Sequence, residues 1–215
     1  MPTPELVIFD WDGTLMDSAA HIVDSLQAAA RDLMQPVPAS EDCRHIIGLA
    51  LPIAIRQLFP EADDEVRELL RQRYAWHFVA GSEEKSGLFP GALALLEQLL
   101  NENRLLAIAT GKTRIGLDRV LAQTGLAGYF VITRCADESA SKPDPLMLSQ
   151  ILAHTGKRVC DAVMIGDTSY DLAMAKALGM PRIGVSYGAH AVELLLPHEP
   201  DVIVDHVSDL YRNLV

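Results

Sequence analysis

The stretch Leu6-Val7-Ile8-Phe9-Asp10-Trp11-Asp12-Gly13-Thr14-Leu15-Met16-Asp17-Ser18 decides how the rest of the chain is read. A short, unbroken apolar run ends abruptly in two carboxylates separated by one residue. Continuously apolar runs mark strands covered on both faces, as in a parallel sheet between helices. Paired carboxylates at the end of such a strand are costly, because like charges at close range resist joint ionisation. A cation removes that cost. The pair therefore points to a Mg²⁺ site with one carboxylate free to act as a nucleophile.

Five more runs of the same kind follow: Leu105 to Ala109, Phe130 to Thr133, Ala162 to Ile165, Arg182 to Val185 and Val202 to Val204. Helical spacing near 3.6 occupies Ala92 to Leu100, Ile115 to Gln123, Leu146 to His154 and Leu172 to Leu178. The alternation predicts an α/β fold, a doubly wound, Rossmann-like parallel sheet. One interval breaks it. Between the first and second strands the pattern is helical: Asp17 to Met34, with Ile22, Val23, Leu26, Ala30 and Leu33 on one side, then Glu41 to Ile47, Leu51 to Leu58 and Asp63 to Phe78. Gly81 to Gly91 is polar and Gly-rich and is expected to be a return linker. The boundaries that follow are residues 1–14 and 88–215 for an α/β core and 15–87 for a small all-helical cap.

In open α/β sheets, ligands bind at the carboxyl ends of the strands. Asp10 and Asp12 close the first strand, Thr110-Gly111-Lys112 the second and Gly166-Asp167 the fourth, with Asp171 four residues on. The loop after the third strand carries Ser141-Lys142-Pro143-Asp144-Pro145. Independent strands thus bring carboxylates, a hydroxyl and a lysine to one edge. Backbone NH groups around Trp11 to Gly13 and at Gly111 are candidates for cradling phosphate oxygens.

The order DxDGTLxDS, a Thr closing the second strand, Lys142 in KPDP and GDxxxD resembles the haloacid dehalogenase superfamily over the whole chain. The helical segment resembles that superfamily's cap, as in phosphoglycolate phosphatase and β-phosphoglucomutase relatives. The resemblance implies Asp10 as a nucleophile that forms an aspartyl-phosphate, and Asp12 as general acid and then base. It implies Thr110 as a donor to the phosphoryl group and Lys142 as its counter-charge. Mg²⁺ would be held by Asp10, the backbone carbonyl of Asp12 and Asp167, with Asp171 in support. The family's use of the cap loop for specificity makes Arg44, His45 or Arg56, around Gly48, candidates for the substrate's far end, and Arg44 is carried forward. Gly111 and Trp11 are expected beside the substrate, although strand parity turns Trp11 away from Asp10 and Asp12.

Asp12 argues for phosphoryl transfer over dehalogenation, which needs no acid. The absence of lysine from Leu15 through Glu84 removes a cap Schiff base, as phosphonatase relatives use. The expected activity is a Mg²⁺-dependent phosphatase acting on small phosphomonoesters, phosphoglycolate-like or sugar phosphates. A sugar phosphomutase or a non-catalytic phosphate sensor are the alternatives. Lys112, outside the motifs, is expected at the surface. Asp17 and Ser18 are expected to cap and hinge the first helix, and the seven histidines to be structural or exposed.

Composition narrows the partners. The chain has 215 residues, 49% of them hydrophobic, and a formal net charge of -11. That size supports a well-packed domain with a modest insertion. No basic stripe for nucleic acid is present. No apolar run approaches the ~20 residues of a membrane span. Cys43, Cys135 and Cys160 are scattered, as expected of reduced thiols, and the N-terminus lacks a signal-peptide pattern, so the expected location is the cytoplasm. The expected partner is a small phosphorylated metabolite. Oligomeric state is left open.

Overall fold

The computed structural model describes residues 3–215, with the side chains of residues 82–85 set aside. After β1 (Leu6–Phe9) and the short β2 (Met16–Asp17) comes a helical insert of α1 (Ala19–Asp32), α2 (Ser40–His45), α3 (Leu51–Leu58) and α4 (Asp64–Lys85). The chain returns through β3 (Gly87–Leu88), α5 (Ala92–Asn101), β4 (Leu105–Thr110), α6 (Arg114–Thr124) and β5 (Ile132–Cys135). It continues with α7 (Leu146–Thr155), β6 (Ala162–Gly166), α8 (Ser169–Ala177), β7 (Arg182–Val185), α9 (Val192–Leu195), β8 (Val202–Val204) and α10 (Val207–Leu210).

Six strands form one parallel sheet in the order β5-β4-β1-β6-β7-β8. Alternate residues of β1 enter different cores. Val7 and Phe9 join Leu95, Leu99, Leu117, Leu121 and Leu210 on one face. Leu6 and Ile8 join Met147, Leu148, Ile151, Met174 and Ala175 on the other. Burial on both faces is why the run is uniformly apolar. From β1 the chain runs outward to β4 and β5, then returns across β1 to β6, β7 and β8. The reversal falls between β1 and β6, and the crevice above such a point is where open α/β sheets hold ligands.

The insert has apolar centres of its own, one around Ile22, Leu26, Ile47, Ala54 and Phe78, another around Ala30, Ile55, Phe59 and Leu70. Helix α4 starts as the sequence predicts: Asp63 accepts a hydrogen bond from the Val66 amide at 2.8 Å, with Asp64 and Glu65 in the first turn. It does not stop at Phe78. The helix runs on to Lys85, through the segment read as the start of a linker. A glycine inside a helix costs only about 1 kcal/mol, and the packing of α4 along α1 outweighs it.

The remainder of the return segment is not free coil either. Strand β3 pairs antiparallel with β2, Met16 opposite Leu88 and Asp17 opposite Gly87. The two chain crossings are therefore stitched to each other. Two-residue strands carry no readable alternation, so the sequence gives no sign of them. The third core strand begins at Ile132 rather than Phe130, and Phe130 instead meets Trp11 edge to face with ring centroids 6.5 Å apart. No described helix is long and apolar enough to cross a membrane.

Candidate active site

Asp10 extends the β1 ladder by one step, its amide donating to Ile165 O at 2.9 Å. The backbone then turns sharply. The amides of Leu15 and Met16 both donate to Trp11 O, and Gly13 N donates to Met16 O. Gly13 adopts φ +81°, and a Cβ there would lie 2.1 Å from Asp167 Oδ2. Only glycine meets both demands.

At the reversal between β1 and β6, carboxylate oxygens of Asp10, Asp167 and Asp171 all lie within 4.8 Å of one another, and all are buried. One ammonium faces them. Lys142 Nζ is 2.8 Å from Asp10 Oδ1 and 2.6 Å from Asp171 Oδ1, itself 1% exposed. Three carboxylates and one ammonium leave a formal charge of -2 when all are ionised. Burial raises the Asp10 carboxyl well above its ordinary value; Lys142 opposes this, and Asp171 and Asp167 reinforce it. Burial, then Asp171, raises Asp167 to about 7 against the Ala189 amide, Thr14 and Lys142. Burial also works against the Lys142 ammonium, but Asp10 and Asp171 outweigh it and hold the lysine charged.

Asp167 is anchored by Thr14 Oγ1 at 2.8 Å and the Ala189 amide at 2.7 Å. Asp171 accepts from Thr168 N and Thr168 Oγ1 while Thr168 Oγ1 accepts from its amide, a reciprocal cap on α8. Asp171 is thus both a helix-cap residue and the second partner of Lys142. Asp10 differs from both: apart from Lys142, nothing among the described residues donates to its carboxylate oxygens.

Asp12 does not join this cluster. Its Oδ1 accepts from Ser18 Oγ at 2.6 Å and its Oδ2 pairs with Lys112 Nζ at 3.0 Å. Two expectations change here. Lys112 is not a surface residue: its side chain is 9% exposed, and its ammonium lies 4.7 Å from the centre of the Phe78 ring. Ser18 takes the N-cap position of α1 without capping it, spending its hydroxyl on Asp12 instead. Thr110 is fully buried at the end of β4, its Oγ1 accepting from Lys112 N at 3.2 Å.

A cavity of about 230 Å³ opens above these groups. Asp10, Asp12, Thr110, Gly111 and Lys112 form its polar end. Ile22, Leu26, Ile47, Leu49, Ala54, Tyr74 and Phe78 of the insert form most of the remaining wall, with Arg119 from α6. Gly111 is at the seam, where a Cβ would meet Gly48 O at 2.6 Å and Leu49 O at 2.8 Å. The insert is held down nearby: Ala50 N donates to Ser141 Oγ at 2.9 Å, and His45 O accepts from the Tyr170 hydroxyl at 2.9 Å and from His190 Nε2 at 3.0 Å.

Two residues expected beside the substrate are elsewhere. Trp11 is 0% exposed and belongs to the core with Val7 and Phe9, as strand parity dictates. Arg44 and His45, exposed on α2, and Arg56, exposed on α3, are not in the cavity wall: α2 turns its buried Cys43 inward, α3 its buried Ala54 and Ile55, and both leave their charged residues outside. Tyr74, Phe78 and Arg119 were not legible as site residues. Their spacing reads as ordinary helix faces; Tyr74 and Phe78 stack one turn apart on α4, and tertiary packing alone brings Arg119 of α6 to Phe78.

The family model for "Haloacid dehalogenase-like hydrolase" matches residues 7–185 of this chain. The chain belongs to the haloacid dehalogenase-like hydrolases. Among relatives of this hydrolase, the Dickeya dadantii protein named "Probable phosphatase IndB" is 38% identical over 209 residues, covering 95% of this chain and 91% of that protein. A phosphoglycolate phosphatase of Agrobacterium fabrum is 33% identical over 215 residues, covering 97% and 91%. The solved structure of a "predicted phosphoglycolate phosphatase" from Haemophilus somnus superposes with a TM-score of 0.91 at 20% identity over 100% of both chains, a likeness of fold.

Proposed function

We propose that this haloacid dehalogenase-like phosphatase hydrolyses small phosphomonoesters through a phosphoryl group carried on Asp10, with Mg²⁺ as cofactor. The observation that carries the reading is the charge imbalance at the sheet reversal. Three buried carboxylates face one buried lysine, and that lysine is the sole donor to the Asp10 oxygens among the described residues. Hard oxygen ligands with a deficit of positive charge fit Mg²⁺. Asp10, Asp167 and the Asp12 carbonyl would hold it, with Asp171 acting through Lys142. The bound ion supplies charge neutralisation of the phosphoryl oxygens.

This chain's residues divide the remaining work. Lys142 fixes Asp10 Oδ1 and adds positive charge where the phosphoryl group arrives. An Asp10 oxygen attacks phosphorus, and the bond from phosphorus to the ester oxygen breaks. Asp12, held by Ser18 and Lys112, serves as the general acid that passes a proton to the departing oxygen. Asp12 then takes a proton from water, whose oxygen attacks phosphorus and frees Asp10 and phosphate. Thr110 and Gly111 border the same space and position the phosphoryl oxygens. Residues 15–87, read as a cap, exclude bulk water and bulky substrates. The two relatives named as phosphatases support the same activity.

The test is phosphate release from a panel of phosphorylated metabolites, with and without Mg²⁺, and with Asp10→Asn as the blank. Release that needs both Mg²⁺ and Asp10 is expected. Interconversion of sugar-phosphate isomers with little free phosphate would overturn hydrolysis in favour of a mutase.

A further inference from the structure

Asp12 is held at both carboxylate oxygens, and both holds lead into the helical insert. Ser18 Oγ donates to Oδ1 at 2.6 Å, and Lys112 Nζ lies 3.0 Å from Oδ2. Ser18 is the residue from which α1 starts. One turn into α1, His21 Nε2 donates to the Phe78 carbonyl of α4 at 2.8 Å. The His21 and Phe78 rings also stack, with centroids 4.5 Å apart. The Phe78 ring then reaches the core, where Lys112 Nζ lies 4.7 Å from its centre. The contacts close a circuit, from Asp12 through Ser18, His21, Phe78 and Lys112 back to Asp12.

The link between Lys112 and Phe78 has a physical reason. The Lys112 side chain is 9% exposed, so its ammonium has given up most of its water. The face of an aromatic ring replaces part of that hydration. A lysine is otherwise a point charge on a long flexible stem, with no fixed direction of its own. Phe78 supplies the direction, because it is buried and fixed twice, at its carbonyl and at its ring. Direction is what a proton donor needs. It must lie within hydrogen-bond reach of the departing oxygen, and a misplacement of about 1 Å can cost roughly 10²-fold in rate.

We propose that Lys112 positions Asp12 for proton transfer and that Phe78 acts through Lys112, so that a residue of the insert sets the direction of the general acid. The proposal rests on the phosphatase reading above, because that reading makes Asp12 the donor to the departing oxygen. Lys112 and Phe78 are positioning residues and carry no proton themselves.

The test compares kcat/KM for phenyl phosphate and 4-nitrophenyl phosphate, using the full chain with Mg²⁺. The two substrates differ by one nitro group, which lets the phenolate oxygen depart with little need of a proton. A misplaced acid therefore harms phenyl phosphate more. In Lys112→Met and in Phe78→Leu both activities should fall, the one on phenyl phosphate by at least about tenfold more. Lys112→Arg, which keeps a cation, should recover part of that difference. The double variant should shift the ratio no further than Lys112→Met alone, because Phe78 acts through Lys112. Equal losses on the two substrates in Lys112→Met would overturn the proposal, since a structural or phosphate-binding role gives that pattern. Ratio shifts that multiply in the double variant would overturn the assignment of Phe78. Should Lys112→Met not fold, Phe78→Leu decides: a shifted ratio supports the proposal and an unshifted one overturns it. If phosphate release depends on Asp10 and Mg²⁺ while the ratio never shifts, only the positioning assignment fails. If release does not depend on Asp10, the phosphatase reading fails and this assignment with it.

Discussion

Replacing Lys142 with methionine is the most revealing single perturbation of this molecule. Methionine keeps an unbranched stem and removes the ammonium, so packing changes little. Lys142 is 1% exposed, 2.8 Å from Asp10 and 2.6 Å from Asp171. Asp171 would keep its bonds from Thr168 N and Thr168 Oγ1, whereas Asp10 would keep none among the described residues. Removing one partner of a buried ion pair typically costs about 3–5 kcal/mol. The cost must depend on pH. The Asp10 carboxyl, already raised by burial, rises further without Lys142, so the folded protein holds a proton that the unfolded chain releases above about pH 4. A carboxyl raised in the folded state lowers stability as pH climbs, by up to ~1.4 kcal/mol per unit while the difference lasts. Urea unfolding of wild type and Lys142→Met, free of divalent ions, at about pH 5, 7 and 8 checks this. The gap should be about 3–5 kcal/mol at pH 7 and narrower at pH 5. A gap below about 1 kcal/mol that does not vary with pH would refute the view of Lys142 as the counter-ion of a buried charge cluster.

Other consequences follow from particular contacts. Gly13→Ala forces a Cβ toward Asp167 and strains a φ of +81°, costing about 1–3 kcal/mol; thermal stabilisation by Mg²⁺ should weaken at least about tenfold in midpoint. Ser18→Ala removes the donor to Asp12 Oδ1. Its kcat should fall about tenfold with KM little changed, read from initial rates on a single phosphomonoester. His190 sits neutral, accepting from Ser169 N and donating to His45 O, and burial lowers its pKa despite the nearby Asp171. The unfolded chain therefore takes up a proton below about pH 6.5 that the folded chain does not, and stability falls on acidification. Melting temperatures between about pH 7.5 and 5 should drop more steeply for wild type than for His190→Gln; parallel curves would contradict this.

What was legible in the sequence, and what was not, follows from the range of the interactions. Continuous apolar runs reported all six core strands because burial on both faces leaves no polar alternation. The β2–β3 ribbon was hidden because two residues carry no period. The helix through Gly81 was hidden because packing against α1 overrides a weak local preference. The residues at strand ends were legible because topology alone brings Asp10, Thr110 and Asp167 to one edge. Lys142 was reachable through its motif. Lys112 was not, since its ion pair with Asp12 depends on how β4 turns into α6. Arg44 misled because a charged residue beside the loop at Gly48 reads the same whether its helix points it into the cavity or, as here, outward. Tyr74 and Phe78, one turn apart on α4, lie far from Arg119 in the chain, and Phe78 meets it only where the insert packs over α6.

The account turns on Asp10 as the group that carries phosphate, and acid-quenched peptide mapping during turnover asks that directly. The protein is mixed with Mg²⁺ and a phosphomonoester, quenched in acid within one turnover and digested. A single phosphoryl group on the peptide containing Asp10, absent from Asp10→Asn, is the result predicted here. Phosphate release by Asp10→Asn at the wild-type rate, or a phosphoryl group on a different side chain, would contradict it.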